Sequence, residues 1–459
     1  MQPGVSITIR NGSMGQTPQV KDGTVGLVCT GLANNAILNT PVLLTSIADF
    51  TNIAFALLAS TWARVTTTAT ITTPSAHGLS TGDSVTISVT SEVLAIPVGN
   101  YVVTVVTPTT FTITCLNAGT TSGTLTTSTR SVTDAYALKH VTEFYNEAGT
   151  GALLYLLLVA ETQTMVQTVD NTNANGAKRL LDFAQGEIKV LGVVRNPIGE
   201  ASVPSNFFRA DVIAAVAGAT AMVNAYRAIQ EPIRILLGGR LDVTSNVPQD
   251  LKALSNNAVG IICGDTNNTS NNAAVGLVLG RVAKVPVSTS IARVKDGPLV
   301  GINDAFIGSV RSEAFTQRDV LIFRGAITLT SYNQRTGYYL SDDPMCTLQT
   351  DDYTNLVSGR VVDKCQRISY QVYVDELHES VPIDTASGKI SPEVIKALEG
   401  KIEYTVRTAM AGELSGFDAL IDPNQNILAT GKLDVQESVT PFGYMRKINI
   451  LLGLNNPFN

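Results

Sequence analysis

The sequence predicts a multidomain protein of mixed α/β and α+β class, with a mixed-sheet core, a small all-β module inserted early in the chain and an extended strand at each end. Three observations predict it. Short apolar runs of strand length alternate with amphipathic helical patterns through the middle of the chain; a threonine- and serine-rich stretch interrupts that pattern; and both termini alternate apolar with polar residues. With 459 residues, 44% of them hydrophobic and 15% charged, the chain is long enough for about two to four domains with sizeable cores.

The first α/β unit is split in two. Pro41 to Phe50 reads as a strand and the start of a helix, and the pattern resumes at Ala135 to Gly149 as a helix closed by a glycine turn, followed by the buried strand Leu153 to Val159. Between Val65 and Thr129 only Asp83 and Glu92 are charged. Turn signals at His77–Asp83, Pro97–Asn100 and Thr107–Thr110 divide this stretch into short strands. Val85, Ile87 and Val89 share one face, as do Phe111, Ile113 and Cys115, so the segment is expected to fold as a small antiparallel barrel or sandwich.

Beyond the insert, Gly176 to Gln185 reads as a short helix and Glu187 to Val194 as a strand. Asp211 to Gln230 is the next helix, with Val212, Val216, Ala219 and Val223 along one face, and Pro232 marks its end before the strand Ile233 to Leu237. The strand Ala258 to Cys263 precedes the helix Ala273 to Val282. Strands joined through helices of this length imply a largely parallel or mixed sheet covered on both faces.

In the last third, Phe323 to Leu329 is expected as a strand, and Tyr338 to Leu340 leads into the acidic turn Ser341–Pro344. A long helix is expected from Tyr353 to about Ser380, burying Val357, Val361, Cys365, Ile368 and Val372. Ser391 and Pro392 start a further helix toward Ser415, as N-cap and first helical residue, and a strand follows over Gly431 to Thr440. At the ends, Val5, Ile7 and Ile9 alternate with Ser6, Thr8 and Arg10, and Tyr444, Arg446, Ile448, Ile450 and Leu452 alternate with Met445, Lys447, Asn449 and Leu451. Such terminal strands must find a sheet, in the same molecule or in a neighbour.

Several classes of function are disfavoured. A formal net charge of -6 argues against a surface devoted to nucleic acid. Five cysteines, Cys29, Cys115, Cys263, Cys346 and Cys365, show no CxxC spacing and read as reduced core thiols of a protein made in the cytoplasm, where no secretory signal directs it outward. The longest apolar run, Ala152 to Ala160, is far shorter than the ~20 residues of a membrane helix, so no direct membrane insertion is expected. His77, His140 and His378 belong to no nucleophile or metal motif and read as surface or capping residues. Asp342, Asp343, Asp351 and Asp352 could bind a hard cation, with a solvated acidic loop as the plainer reading. No catalytic residue, cofactor or metal is assigned.

Taken in order, Met1 to Val5, Thr40 to Phe50, Ala135 to Val159, the helix near Tyr353 with its successor, and the terminal strand resemble the contractile phage tail sheath family. Tyr338–Pro344 and Gly359–Lys364 are similar to a divergent branch of it found in prophages and contractile injection systems, and the insert resembles a small β module of phage structural proteins. The resemblance implies an N-terminal arm (1–20), a sheath core (21–62 and 131–330), the inserted module (63–130), a C-terminal sheath domain (331–440) and a C-terminal arm (441–459). It also implies a structural subunit that polymerises around an inner tube and contracts to drive the tube through a cell envelope.

The implied partners are identical subunits, joined by strand exchange through Val5, Ile7, Ile9, Tyr444, Arg446, Ile448, Ile450 and Leu452. The tail tube protein, the baseplate and the tail terminator are the others; nucleic acid is not among them. Lys396, Lys401 and Arg407, on the helix after Ser391, are candidate tube contacts. From the residues alone, an α/β enzyme or carbohydrate-binding protein with an accessory β module stays open.

Overall fold

The strand Val25–Gly31 is buried at every position because it lies between two parallel neighbours, Leu154–Ala160 on one side and Val190–Val194 on the other. Its sequence, VGLVCTG, shows no alternation, as suits a strand covered on both faces. The computed structural model describes residues 21–453 except 32–36, 55, 58–59, 75–76, 78, 80, 83, 91–95, 97–98, 116–117, 131–134, 197–205, 269 and 386–387. The terminal strand expected around Val5, Ile7 and Ile9 lies outside the described residues. The chain divides into two compact units, Met1–Ala201 with Ala274–Lys284, and Ser202–Ala273 with Val285–Asn459.

In the first unit, Val42–Leu44 adds an antiparallel strand beside Leu154–Ala160 and leads into the helix Ile47–Ala54. Helices Ala135–Ala148 and Val275–Lys284 pack at backbone contact. A Cβ on Gly276 would lie 2.1 Å from the His140 carbonyl oxygen and one on Gly280 2.7 Å from that of Phe144, so only glycine permits this approach. His140 is buried there, which corrects its reading as a surface side chain, and its Nδ1 accepts the Gly276 N–H at 3.4 Å in the first turn of the second helix, as a capping group does. At the far end of the same helix pair, buried Glu147 is ion-paired with Arg281 at 2.7 Å and accepts from Lys284 at 3.2 Å.

The inserted module is a closed barrel. Ser60–Val65, Thr68–Thr72, Thr110–Thr114, Gly99–Thr107, Ser84–Thr90 and Thr121–Arg130 pair in that order, and the last pairs back onto the first. Trp62, Ile71, Val85, Ile87, Val103, Phe111, Ile113 and Leu125 fill it. Its boundary is earlier than the expected residue 63: Ala56–Leu57 already pairs with Thr121–Arg130, and Trp62 sits in the barrel core against Gly123. His77 is likewise buried. Its Nδ1 accepts the Leu79 N–H, its Nε2 lies 2.9 Å from the Thr107 carbonyl and its ring meets Phe111 edge-on, so it staples a turn from inside.

In the second unit, Arg234–Gly238, Val259–Cys263 and Ala326–Thr330 form a parallel run, closed by antiparallel Tyr339–Leu340. Phe323 ends a short helix, Arg318–Phe323, and the expected strand starts only at Ala326. The long helix is Leu356–Val374, shorter than expected at both ends. It stops where its apolar face ends: Leu377 is exposed and His378, beyond the helix, has a φ of 66°.

Gly359 and Asp363, one turn apart on that helix, cradle the buried Arg234. The guanidinium donates to both Asp363 oxygens at 2.7 and 2.8 Å, and a Cβ on Gly359 would lie 2.7 Å from its Cζ. The next helix, Pro392–Ala409, also ends sooner than expected, and Gly416–Ile421 pairs with Val435–Thr440 as a two-stranded hairpin. Val361, Cys365, Ile402, Val406, Met410 and Phe417 form the core between the two helices and the hairpin. All five cysteines are buried and free of disulfides.

Candidate functional site

The C-terminal segment leaves its own domain from an anchored base. The Tyr444 hydroxyl donates to the Ser288 carbonyl at 2.6 Å. Arg446 pairs with Asp342 and, at 2.9 Å, with Asp343, and its guanidinium lies over the Tyr444 ring. Burial raises the Tyr444 hydroxyl to about 12, and it pushes the fully buried Asp343 carboxyl up to about 6 against the Val357 amide and Arg360. Two members of the suspected acidic cation loop are therefore committed to Arg446. Asp351 is committed to the Asn257 amide, the Thr347 hydroxyl and the Tyr353 N–H.

Past this base the chain projects into solvent. Ile448 is 70% exposed, Ile450 80%, Leu451 101% and Leu452 95%. The expected strand does not form within the single chain, since none of the described strands pairs with residues 444–453. Its apolar side chains and its backbone groups both lack a neighbour that would make a ladder.

The hairpin offers two unlike edges. On Gly416–Ile421, the backbone groups of Phe417, Ala419 and Ile421 point away from the partner strand and meet one row of side chains on helix Pro392–Ala409. Glu399 accepts the Ile421 N–H at 2.8 Å, Glu403 accepts the Ala419 N–H at 3.1 Å, and Arg407 donates to the Phe417 carbonyl at 2.9 and 2.6 Å. The fit follows from geometry: helix residues four apart rise about 6 Å, close to the spacing of about 6.8 Å between alternate strand residues. Lys396, at 2.6 Å, and the Ile421 amide hold the Glu399 carboxyl below its ordinary range.

The opposite edge, Val435–Thr440, borders a groove of about 1530 Å³. Val435, Glu437 and Val439 form one wall, and Ser369, Tyr370 and Tyr373 of the long helix the other. Across it, the Ser369 hydroxyl donates to Glu437 at 2.7 Å, while burial raises the Glu437 carboxyl. The register pairs Ala419 with Glu437, so the N–H and C=O of residues 435, 437 and 439 also point outward, on the groove side. None of the described strands pairs with them there.

The candidate tube contacts have partners within the chain. Arg407 holds the Phe417 edge and Asp418; Lys396 holds Glu399; Lys401 holds Glu376, which raises the Lys401 ammonium above its ordinary value. The sequence placed all three on one helix, yet the sealing row of Glu399, Glu403 and Arg407 went unrecognised. Its signal was present as charged residues spaced four apart beside an apolar face.

Two family models match the sequence: DUF2586, N-terminal domain, over residues 81–344, and DUF2586, C-terminal domain, over residues 352–459. No curated protein matches it. Among solved structures, the helical sheath of the anti-feeding prophage in its contracted state is similar over 99% of this chain and 98% of its own, at 13% identity and a TM-score of 0.55. A chain of the baseplate of the same particle is similar over 99% of each, at 14% identity and a TM-score of 0.55. The contracted PVC sheath complex of an extracellular contractile injection system is similar over 100% of this chain and 99% of its own, at 10% identity and a TM-score of 0.52. The likeness runs the full length of both partners and establishes a common fold. No helix among the described residues is long and apolar enough to cross a membrane.

Proposed function

This chain belongs to the DUF2586 family, and from that premise and its fold we propose that it is the structural subunit of a contractile sheath, which polymerises around an inner tube and shortens to drive it through a cell envelope. The observation that carries the proposal is the segment Ile448–Leu452, apolar, almost fully exposed and extended beyond an anchored base. A segment of this kind calls for a second copy, and a head-to-tail contact that does not close on itself builds a helix. The N-terminal residues Val5, Ile7 and Ile9 supply the second arm in this reading.

Magnitudes favour an exchangeable joint over a permanent one. Burying Ile448, Ile450, Leu451 and Leu452 contributes on the order of 1.5–3 kcal/mol each, and ordering each backbone residue costs about 1–2 kcal/mol. These terms nearly cancel. Backbone ladder bonds at about 0.5–1.5 kcal/mol apiece then decide the sign. Many such joints in a lattice allow two arrangements of subunits that differ in free energy, so contraction releases stored assembly energy without a nucleotide. The protein acts in this reading as a mechanical part and not as an enzyme; the enzyme or carbohydrate-binding alternative has no observation in its favour.

Lys396, Lys401 and Arg407 remain the proposed tube contacts, since each keeps an exposed cationic side chain beside its intrachain carboxylate. The purified full chain tests the main proposal by electron microscopy: tubes of uniform width support it. A protein that stays monomeric at high concentration, and is not recruited by its tube, refutes it.

A further inference from the structure

We propose that Glu437 guards the joint between subunits: an acid set into an otherwise apolar row, it must be neutral when a second copy covers the groove, so the joint takes up a proton as it forms. This rests on the sheath reading, which supplies the second copy, and adds the residue that makes assembly sensitive to pH.

The strand Val435–Thr440 turns Val435, Glu437 and Val439 toward the groove and leaves Gln436, Ser438 and Thr440 exposed. A period of two on a half-buried strand calls for an apolar side chain at the middle position. Val435 and Val439 pack against the core of Val361, Cys365 and Phe417, and the register sets Glu437 opposite Ala419. The carboxyl therefore stands between two valines. One oxygen accepts from the Ser369 hydroxyl at 2.7 Å, while the other, Oε1, is buried with no hydrogen bond in the chain. The Tyr373 hydroxyl is near enough to favour the charged form and is itself without an ordinary hydrogen bond.

Among the described residues no cation pairs with Glu437. The long helix turns Ser369, Tyr373 and the Cys365 thiol toward it, and helix Pro392–Ala409 contributes Glu399, a second acid acting on Tyr373. Lys364 and Arg367 act on Cys365, and Lys364 is held by Glu413. Burial is the largest influence on the Glu437 carboxyl and raises it. Covering the groove removes its remaining water, and a carboxylate buried without a cation costs far more than the neutral acid. Apolar side chains such as Ile448, Ile450 and Leu452 bring no compensating charge. An inward-pointing charge on an open edge strand also deters unsought pairing, which suits a subunit that must stay free until it joins a lattice.

The sign follows from proton counting. Wherever Glu437 is ionised in the free subunit, the assembled form binds one more proton, so assembly strengthens as pH falls, by at most about tenfold per pH unit for one proton.

Critical concentrations for tube formation by the full chain, read by pelleting and electron microscopy from about pH 5 to 8, test the proposal. The parent should need several-fold more protein at each unit rise. Glu437→Gln keeps an acceptor for Ser369 without the charge; it should give a flat profile and assemble near pH 8 at about a tenth or less of the parent's concentration. Glu437→Val, which completes the apolar row, should be flat as well. Asp343 is present in every chain, so its titration cancels in the comparison. Ser369→Ala removes a bond that favours the carboxylate and should move the profile toward higher pH. Equal slopes in parent and Glu437→Gln overturn the proposal and leave the sheath reading intact. A glutamine variant that assembles more weakly than the parent at every pH also overturns it, because the carboxylate would then be ion-paired in the joint, and Lys447→Ala would share the deficit. Absence of tubes from all chains across the range, with normal melting curves, refutes the sheath reading and the guard with it.

Discussion

The inserted barrel and the C-terminal hairpin are both antiparallel sheet, yet they manage their edges in opposite ways. In the barrel, Thr121–Arg130 pairs with Ser60–Val65 on one side and Ser84–Thr90 on the other, so the ring closes and its ladder is complete. In the hairpin, one edge is covered by side chains and the other is left open beside a groove. Closure removes the template on which another chain would add, and an open edge keeps it. The difference teaches where to look for assembly. A barrel that satisfies itself can decorate a subunit without entering its joints, whereas a two-stranded sheet, marginal in isolation, gains from a third strand.

The largest effect is expected from removing the joint. A chain lacking residues 448–459 keeps Tyr444 and Arg446 at its base and should melt within about 2 °C of the parent, because Ile448, Ile450, Leu451 and Leu452 are exposed in the monomer. It should form no tubes under the electron microscope. Normal tubes from this chain would erase the contrast between the open and closed sheets.

The second effect is confined to the barrel. Trp62→Ala removes the ring packed on Gly123 and should destabilise the module by about 3–5 kcal/mol. Hydrogen exchange should then show lost protection in Ser60–Val65 and Thr121–Arg130, with Val25–Gly31 unchanged and tube formation retained. Lost tubes would mean that the barrel takes part in the lattice after all.

Legibility in the sequence followed the same division. The barrel strands were readable because alternation and turn residues are local signals, and Val85, Ile87, Phe111 and Ile113 all point inward as expected. Only its start was misplaced, since Trp62 lies before the change in composition and belongs to the barrel through a long-range pairing with Gly123. The central strand Val25–Gly31 was missed: fully buried on both faces, it shows no period, and the turn Lys21–Gly23 before it was the only local signal. The burial of His140 was not read because Gly276, which packs against it, lies far away in sequence. In the candidate site, the apolar arm was visible from Ile448, Ile450 and Leu452. The identity of its receiving edge was not, because the register that turns Ala419 and Ile421 outward is set only when helix and hairpin meet.

A third prediction sharpens the comparison through pH. The stretch Val65 to Thr129 has only two carboxylates, Asp83 and Glu92, whereas the arm's base rests on the buried Asp343. Asp343 holds its proton up to about 6 in the folded chain, against an ordinary value of 3.8, because burial outweighs its hydrogen bonds. Between those values the folded state binds more protons than the unfolded one, so the contribution from this group is full below 3.8 and falls as pH rises through about 6. The slope reaches at most about 1.4 kcal/mol per pH unit. Asp343→Asn should abolish that component, read as the difference between parent and variant in denaturant titrations at pH 4, 5, 6 and 7. Parallel curves would show that the base of the arm is not a titrating element.

The smallest effect in stability tests the sealed edge. Arg407→Ala removes the donor to the Phe417 carbonyl and the partner of Asp418, both at a half-exposed side chain, so the cost should be about 1 kcal/mol. Its consequence for pairing should be larger than that figure suggests. With the carbonyl of Phe417 uncovered, the Gly416–Ile421 edge becomes a second template, and disulfide trapping between Asp418→Cys in one chain and Ile450→Cys in another should rise several-fold over the background of the sealed chain. Arg407→Lys should keep the charge but not the two-nitrogen contact with a single carbonyl, leaving the edge partly open. A trapping yield that stays at background in Arg407→Ala, with the hairpin intact by hydrogen exchange, would assign the exclusion to the bulk of helix Pro392–Ala409 and not to its side-chain row.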